Sequence, residues 1–488
     1  MDRAKSKKIR NIRIIATNIF MCLSVFVIVF VLMMIAMGFT FSESGKLEQA
    51  GLAQISSRPS DASVTIDGDA QFNHTDFSKM LSSGTHQIKI TKPGYDTWTK
   101  DVKIDAGLLT RIDWVRLFPE EKHTDDIYDF NNLRLAAFSA NRKKLIATEK
   151  NSNKLLIIDI QSEKIKADEL NLNDCLSTTA AKAVEGEISI IAWNNDNTRL
   201  IAKWVNGDET SWHLIDLEHS DASIDLTKRL NLNFSDIIIA NDSANKLWAL
   251  EAGNLRLIDT ENLTISGSFA SDVQLITANR DTAIFVNKEN GVRQIGIYKN
   301  NEKGNTIIKK LEGVGDEATI KLTAGSYWNE DWLAYSVNEQ IFVLSGKYPS
   351  YGKNEVSKLK TNLERRLDYT PKLISTNASQ RIAVFSGDKY LTSFDLETDD
   401  YFDSELASEI SDITWVDNYL LWQKVDNTIV VRDFDGSNRR VVVSDINTAF
   451  PVAISENNRW LYYIDFTEIT KKDDQPTEGK YTLKRLSL

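Results

Sequence analysis

Residues 14–39, IIATNIFMCLSVFVIVFVLMMIAMGF, form an apolar run without a charged residue, and its polar members are only Thr17, Asn18, Cys22 and Ser24. At 1.5 Å per residue a helix of this length reaches about 39 Å, enough to cross a hydrocarbon core of about 30 Å with some tilt. Ahead of it, Arg3, Lys5, Lys7, Lys8, Arg10 and Arg13 against Asp2 give the N-terminal tip a net charge of +5. Clustered basic residues hold such a flank on the cytoplasmic side. The expected topology is a cytoplasmic tip over 1–13, a transmembrane helix over 14–39 and an extracytoplasmic remainder.

A cleaved secretory signal is the competing reading. Its apolar core would be shorter, about 7–15 residues, and would end in small residues at the cleavage site. Here the run ends in Met37-Gly38-Phe39-Thr40-Phe41, which places bulky side chains where a peptidase needs small ones. The span therefore reads as an uncleaved single-pass anchor.

The chain carries a formal charge of −11, so a tip at +5 leaves −16 on the rest. An acidic exterior argues against nucleic acid or an anionic lipid surface as the partner of the part beyond the helix. The two cysteines, Cys22 in the apolar run and Cys175 far from it, are not expected to pair. Cys175 reads as a buried small hydrophobe. His74, His86, His123, His213 and His219 form no HExxH motif and no close cluster with cysteine, so zinc is poorly supported.

After a polar juxtamembrane linker (domain bounds 40–53), short alternating runs begin: LAQIS (52–56), ASVTI (62–66), THQIKI (85–90), TWTKDVKI (97–104) and LTRIDWVRL (109–117). Period-two apolar placement reads as strands, and Asp67-Gly68, Ser83-Gly84 and Pro93-Gly94 are turn signals between them. The core is expected from Val64, Ile66, Ile88, Ile90, Tyr95, Trp98 and Ile104, with Trp114 adding buried area.

The text from Ser57 to Gly68, SRPSDASVTIDG, resembles the opening of a PEGA domain, and LSSGTHQI (81–88) and KPGYDTW (92–98) continue the likeness. The resemblance spans 54–118 and implies a small β-sandwich in an envelope protein of bacteria or archaea, displayed near sugar or wall material. It supplies no catalytic residues. Pro59, Val64, Ile66, Asp67, Gly68, Gly84, His86, Pro93, Gly94, Tyr95 and Trp98 are read as structural, with His86 a hydrogen-bonding residue rather than a ligand. The stretch from Asp69 to Phe77 departs from the family's usual Gly-x-Thr-Pro segment.

Beyond Glu120-Glu121-Lys122, a loose strand–turn–strand–turn–strand pattern recurs at 133–160, 188–217, 235–260, 272–298, 318–344, 371–396, 411–434 and 450–466, the last continued by 480–488. Starts lie 37–55 residues apart. Such a period, all in β text, suits a propeller, whose four-stranded blades bury their faces only by stacking on neighbours. The repeats resemble degenerate propellers of the Tol-system and tryptophan–aspartate type. Eight copies suggest eight blades over 119–488, and seven fit if the first and last units share one. Asp159, Asp216, Asp259, Asp395 and Asp433 recur at strand ends and read as turn-capping acids rather than a metal ring.

No nucleophile elbow, phosphate loop or dinucleotide fingerprint is present. The expected function is noncatalytic: a membrane-anchored envelope protein, without cofactor or metal, that binds or organises envelope polysaccharide or an envelope protein. Two alternatives stay open, an assembly partner of a membrane complex and a glycan-processing enzyme with a propeller active site.

Overall fold

The computed structural model describes residues 2–36, 38–41, 47–177, 185–353, 355–406, 413–447, 450–469 and 478–488. The chain separates into two compact units, Met1–Glu121 and Lys122–Leu488.

The first unit opens with α1 (Asp2–Ala36). Within it Ile15–Ile35 has a mean hydropathy of 2.8, and none of it is buried against protein. Among the described residues one helix is thus long and apolar enough to cross a membrane, as a single-pass anchor requires. The helix stops at Ala36, short of the expected 39, and β1 (Phe39–Phe41) follows almost at once. The stretch expected as linker is largely strand: β2 (Leu47–Arg58) begins five residues before the first strand read from sequence. Its opening, LEQAG, has too few apolar residues to show alternation.

The strands that follow are β3 (Ser63–Ile66), β4 (Asp69–Ala70), β5 (Phe77–Ser82), β6 (Gly84–Thr91), β7 (Trp98–Ile104) and β8 (Leu109–Arg116). One sheet joins β1, β2 and β5, with β8 parallel to β2; the other has the order β4-β3-β6-β7. Their shared core contains Ala53, Ile55, Val64, Ile66, Ile88, Ile90, Trp98, Ile104 and Ile112, with Tyr95 and Trp114 packed partly buried against it. The divergent segment 69–77 is tied down by Thr75, whose hydroxyl accepts the Ala62 N–H at 3.0 Å and whose N–H donates to the Ala62 carbonyl at 3.0 Å.

The second unit begins with β9 (Thr124–Asn131). Among the described residues it contains eight four-stranded antiparallel sheets, numbered here in chain order: sheet 1 over 133–171, sheet 2 over 187–225, sheet 3 over 234–265, sheet 4 over 273–311, sheet 5 over 320–366, sheet 6 over 373–405 and sheet 7 over 414–443. Sheet 8 takes three strands from 453–487 and β9 as its fourth. The terminal strand Glu478–Ser487 pairs with Trp460–Ile469 on one side and β9 on the other. Leu483 and Leu486 of that strand are fully buried.

The turns between first and second strands touch from sheet to sheet. Asn141 N–H donates to Asn197 Oδ1 at 3.3 Å, and Asn195 Nδ2 to Asp242 Oδ1 at 2.7 Å. Asn279 Nδ2 donates to the Gly325 carbonyl at 2.8 Å, Ser326 N–H to Gln380 Oε1 at 2.8 Å, and Asn377 Nδ2 to the Asn418 carbonyl at 2.7 Å. Ile454 N–H reaches the Val416 carbonyl at 3.3 Å, and Glu456 of sheet 8 forms an ion pair with Lys143 of sheet 1 at 3.0 Å. Sheets 3 and 4 meet through apolar contact, Trp248 and Leu250 against Val273 and Phe285.

Candidate ligand-binding sites

The residues singled out in the small unit are brought together as its framework. Val64, Ile66 and Trp98 are buried, and Tyr95 is half-buried. Asp67 and Gly68 form the β3–β4 turn with positive φ of 51° and 90°, a conformation glycine adopts without steric cost. Gly84 and Gly94 also have positive φ, and Pro59 follows Arg58 at the end of β2. His86 Nδ1 lies 2.5 Å from Asp67 Oδ2, and its Nε2 lies 2.9 Å from the Ser82 carbonyl oxygen. An acceptor on each ring nitrogen fixes the imidazole and joins two turns. The His86 hydrogen bond also holds the Asp67 carboxyl below its usual range. Pro93-Gly94 precedes Tyr95, whose backbone bridges to Pro119.

In the second unit a cavity of 520 Å³ opens where first strands end. It is lined from five sheets: Phe138 and Arg142, Ile191 and Trp193, Ala378, Trp415 and Trp422, and Pro451 with Val452. Sequence reasoning quoted these segments but missed the site. The available signal was position: Phe138, Trp193 and Trp415 each occupy the last residue of a first strand. Among the described lining residues the one carboxylate is Asp417, and it accepts the backbone N–H groups of Tyr419 and Leu420, each at 2.8 Å. Arg142 supplies the cation, and its Nη1 is buried without a hydrogen-bond partner. The result is an aromatic, apolar cavity with a guanidinium nitrogen available to donate.

A second cavity, of 400 Å³, lies between sheets 5 and 6 beneath Trp328. Trp328 and Asn329 form a two-residue hairpin turn with φ of 49° and 64°. A bulky residue rarely adopts this conformation, yet here it leaves the indole 71% exposed. Tyr327 donates to Glu397 Oε2 at 2.7 Å, and burial followed by that carboxylate pushes its phenol up to about 12. Lys360 and Asn362 both bond Asp399, at 2.7 and 2.6 Å. Glu330 completes the polar wall.

The third cavity, of 360 Å³, surrounds His213 in sheet 2. Burial pulls that imidazole down to about 4, with the nearby Asp225 opposing, so the ring is neutral at pH 7. Its Nε2 lies 2.7 Å from Ser211 Oγ. Burial pushes the Cys175 thiol up to about 11, far from the range of a reactive thiolate.

The recurrent strand-end acids cap turns. Asp159 accepts from Gln161 N–H, Asp216 from Glu218 and His219, Asp259 from Glu261 and Asn262, and Asp395 from Glu397, at 2.8–3.1 Å. Asp433 Oδ2 accepts from Asn438 Nδ2 at 3.0 Å. Among the described residues no group of three His, Cys, Asp or Glu converges as a metal site.

Residues 51–116 match the family description of the PEGA domain. No curated protein matches the chain. Similar solved structures include the C-terminal WD40 domain of Sif2, at 14% identity and TM-score 0.47, covering 75% of this chain and 99% of that one. AztD from Citrobacter koseri aligns at 10% identity and TM-score 0.41, over 75% of this chain and 93% of its own. PorZ, described as a surface component of the type-IX secretion system of Porphyromonas gingivalis, aligns at 11% identity and TM-score 0.39, over 70% and 43%.

Proposed function

We propose that this chain is a noncatalytic, membrane-anchored binding protein of the bacterial cell envelope, with its second unit an eight-bladed propeller held outside the cytoplasm. Supporting the ring are the eight sheets, the sharing of sheet 8 between the two ends of the unit, and the Lys143–Glu456 pair between the last sheet and the first. The basic tip ahead of the apolar helix supports the orientation.

The observation that carries the binding role is the aromatic cavity, to which five sheets contribute. Tryptophan-lined hollows with few, well-placed polar groups suit an apolar side chain presented by a protein partner. Two-carboxylate hydrolysis needs a pair of acids across a cleft, whereas Asp417 is engaged in its own turn. An envelope protein is therefore the favoured ligand. In the test, full-length protein in nanodiscs captures envelope proteins and wall polysaccharide in parallel. The reading expects protein capture that Trp193→Ala and Trp415→Ala each weaken; capture unaffected by both variants would sink it.

Trp328 favours a second reading, envelope polysaccharide. A displayed indole stacks on the C–H face of a sugar, and Glu330 beside it can accept from hydroxyls. Retention on wall polysaccharide that Trp328→Ala removes, with protein capture intact, would place the glycan there.

A further inference from the structure

The helix exit and an exposed apolar row of the small unit lie side by side. Gly38 donates to the Ile35 carbonyl at 3.0 Å, and its own carbonyl accepts the Ala50 N–H at 2.8 Å, so the end of α1 is bonded directly to β2. Two residues along β2, the Leu52 N–H donates to the Leu108 carbonyl at 2.9 Å. Amides two apart on a strand share an edge and are separated by about 7 Å, so Leu108 sits one strand repeat from the point where the apolar helix ends.

The side chains there face outward. Leu52 pairs with Met80 of β5 on one side and Leu109 of β8 on the other, placing all three on the same face. They are exposed by 37%, 41% and 47%, and adjoining Leu108 by 61%. A Cβ built on Gly38 would lie 3.1 Å from Met80 Cε, so the row reaches the helix exit itself. One repeat farther from the exit, the same face turns polar, with Gln54 paired to Ser78 and to Arg111. At the exit itself Ala50 pairs with Ser82, so the apolar row is a band one strand repeat wide beside the end of the helix.

We propose that this face of the small unit is a lipid-binding surface, with Leu52, Met80, Leu108 and Leu109 resting in the interfacial region of the leaflet where α1 emerges. The row is continuous with the anchor, so its occupant is the bilayer that the anchor already crosses. The inference rests on the anchor reading and adds to it: the small unit lies against the membrane instead of swinging on a tether.

The test uses the full chain in phosphatidylcholine–phosphatidylglycerol nanodiscs with Cys22→Ala, since Cys175 is buried and inert. Single spin labels are placed at Val27→Cys in mid-helix, Leu109→Cys in the row, and Asp208→Cys at an exposed hairpin of the second unit. Collision rates with oxygen and with a water-soluble nickel complex give a ratio that rises on entering lipid. The proposal expects the ratio at position 109 to lie between those at 27 and 208. A value at 109 equal to that at 208, with 27 in lipid, overturns the proposal and leaves the anchor standing. An aqueous value at 27 overturns both.

Discussion

Tyr462 donates its hydroxyl proton to the carbonyl oxygen of Ile160 at 2.8 Å, across 302 positions of sequence, and both groups are buried. The bond joins sheet 8 to the end of the third strand of sheet 1. In Tyr462→Phe the Ile160 carbonyl loses a buried donor, a loss of about 1–3 kcal/mol. Urea denaturation of the full chain should show that decrease with an unchanged slope. A midpoint that does not move would mean that the contact contributes nothing to the second unit.

Trp98 has no exposed surface and lies in the core of the small unit. Trp98→Ala should cost roughly 3–5 kcal/mol through lost transfer energy and the cavity left behind. Since a whole domain has about 5–15 kcal/mol, this unit's own melting transition should fall markedly or vanish. Calorimetry that finds it unmoved would contradict the packing.

His213 sets a pH dependence. Its folded value of about 4 lies below the ordinary 6.5, so the unfolded chain binds the proton more readily between those limits. Stability is fully present above about pH 6.5 and declines as pH falls toward 4, by a total on the order of 2–3 kcal/mol. His213→Gln should flatten that part of the profile. If wild type and variant lose stability in parallel from pH 7 to 4.5, His213 is not the cause.

Trp415 is half-buried at the cavity wall, its Nε1 donating to Ser375 Oγ at 3.3 Å. Removing such an aromatic anchor typically costs about 2 kcal/mol of binding, roughly a 30-fold weaker affinity. Trp415→Ala should lower affinity for a captured envelope protein by that order while leaving the melting temperature within a few degrees. Equal affinity would move the binding site away from this cavity.

The strands with buried faces were legible in the sequence because alternation records burial. Edges were not. β9, TDDIYDFN, carried no strand signal because its acids have no local partner; in the fold Asp125 meets Arg485 at 3.0 Å and Asp129 meets Lys480 at 2.7 Å. The fourth strands, such as DYFDSE over Asp400–Glu405, alternate exposed and half-buried residues and carry little apolar signal. The Asx turns at Asp159 and Asp259 were legible, being local chemistry. The aromatic cavity was hidden because Phe138, Trp193 and Trp415 become neighbours only when distant sheets converge. Trp328 gave no warning either, since nothing local marks a tryptophan in a left-handed turn.

The closing strand provides the most direct measurement. Deleting residues 480–488 removes Leu483 and Leu486 and strips the ladder from both Trp460–Ile469 and β9. Unpaired edges of that length are expected to destabilise the second unit and recruit other chains. Thermal melting with light scattering on the full-length and shortened proteins in the same nanodiscs reads both effects. The account predicts a clearly lower melting temperature together with self-association. An unchanged transition in a protein that stays monomeric would contradict the proposed closed ring.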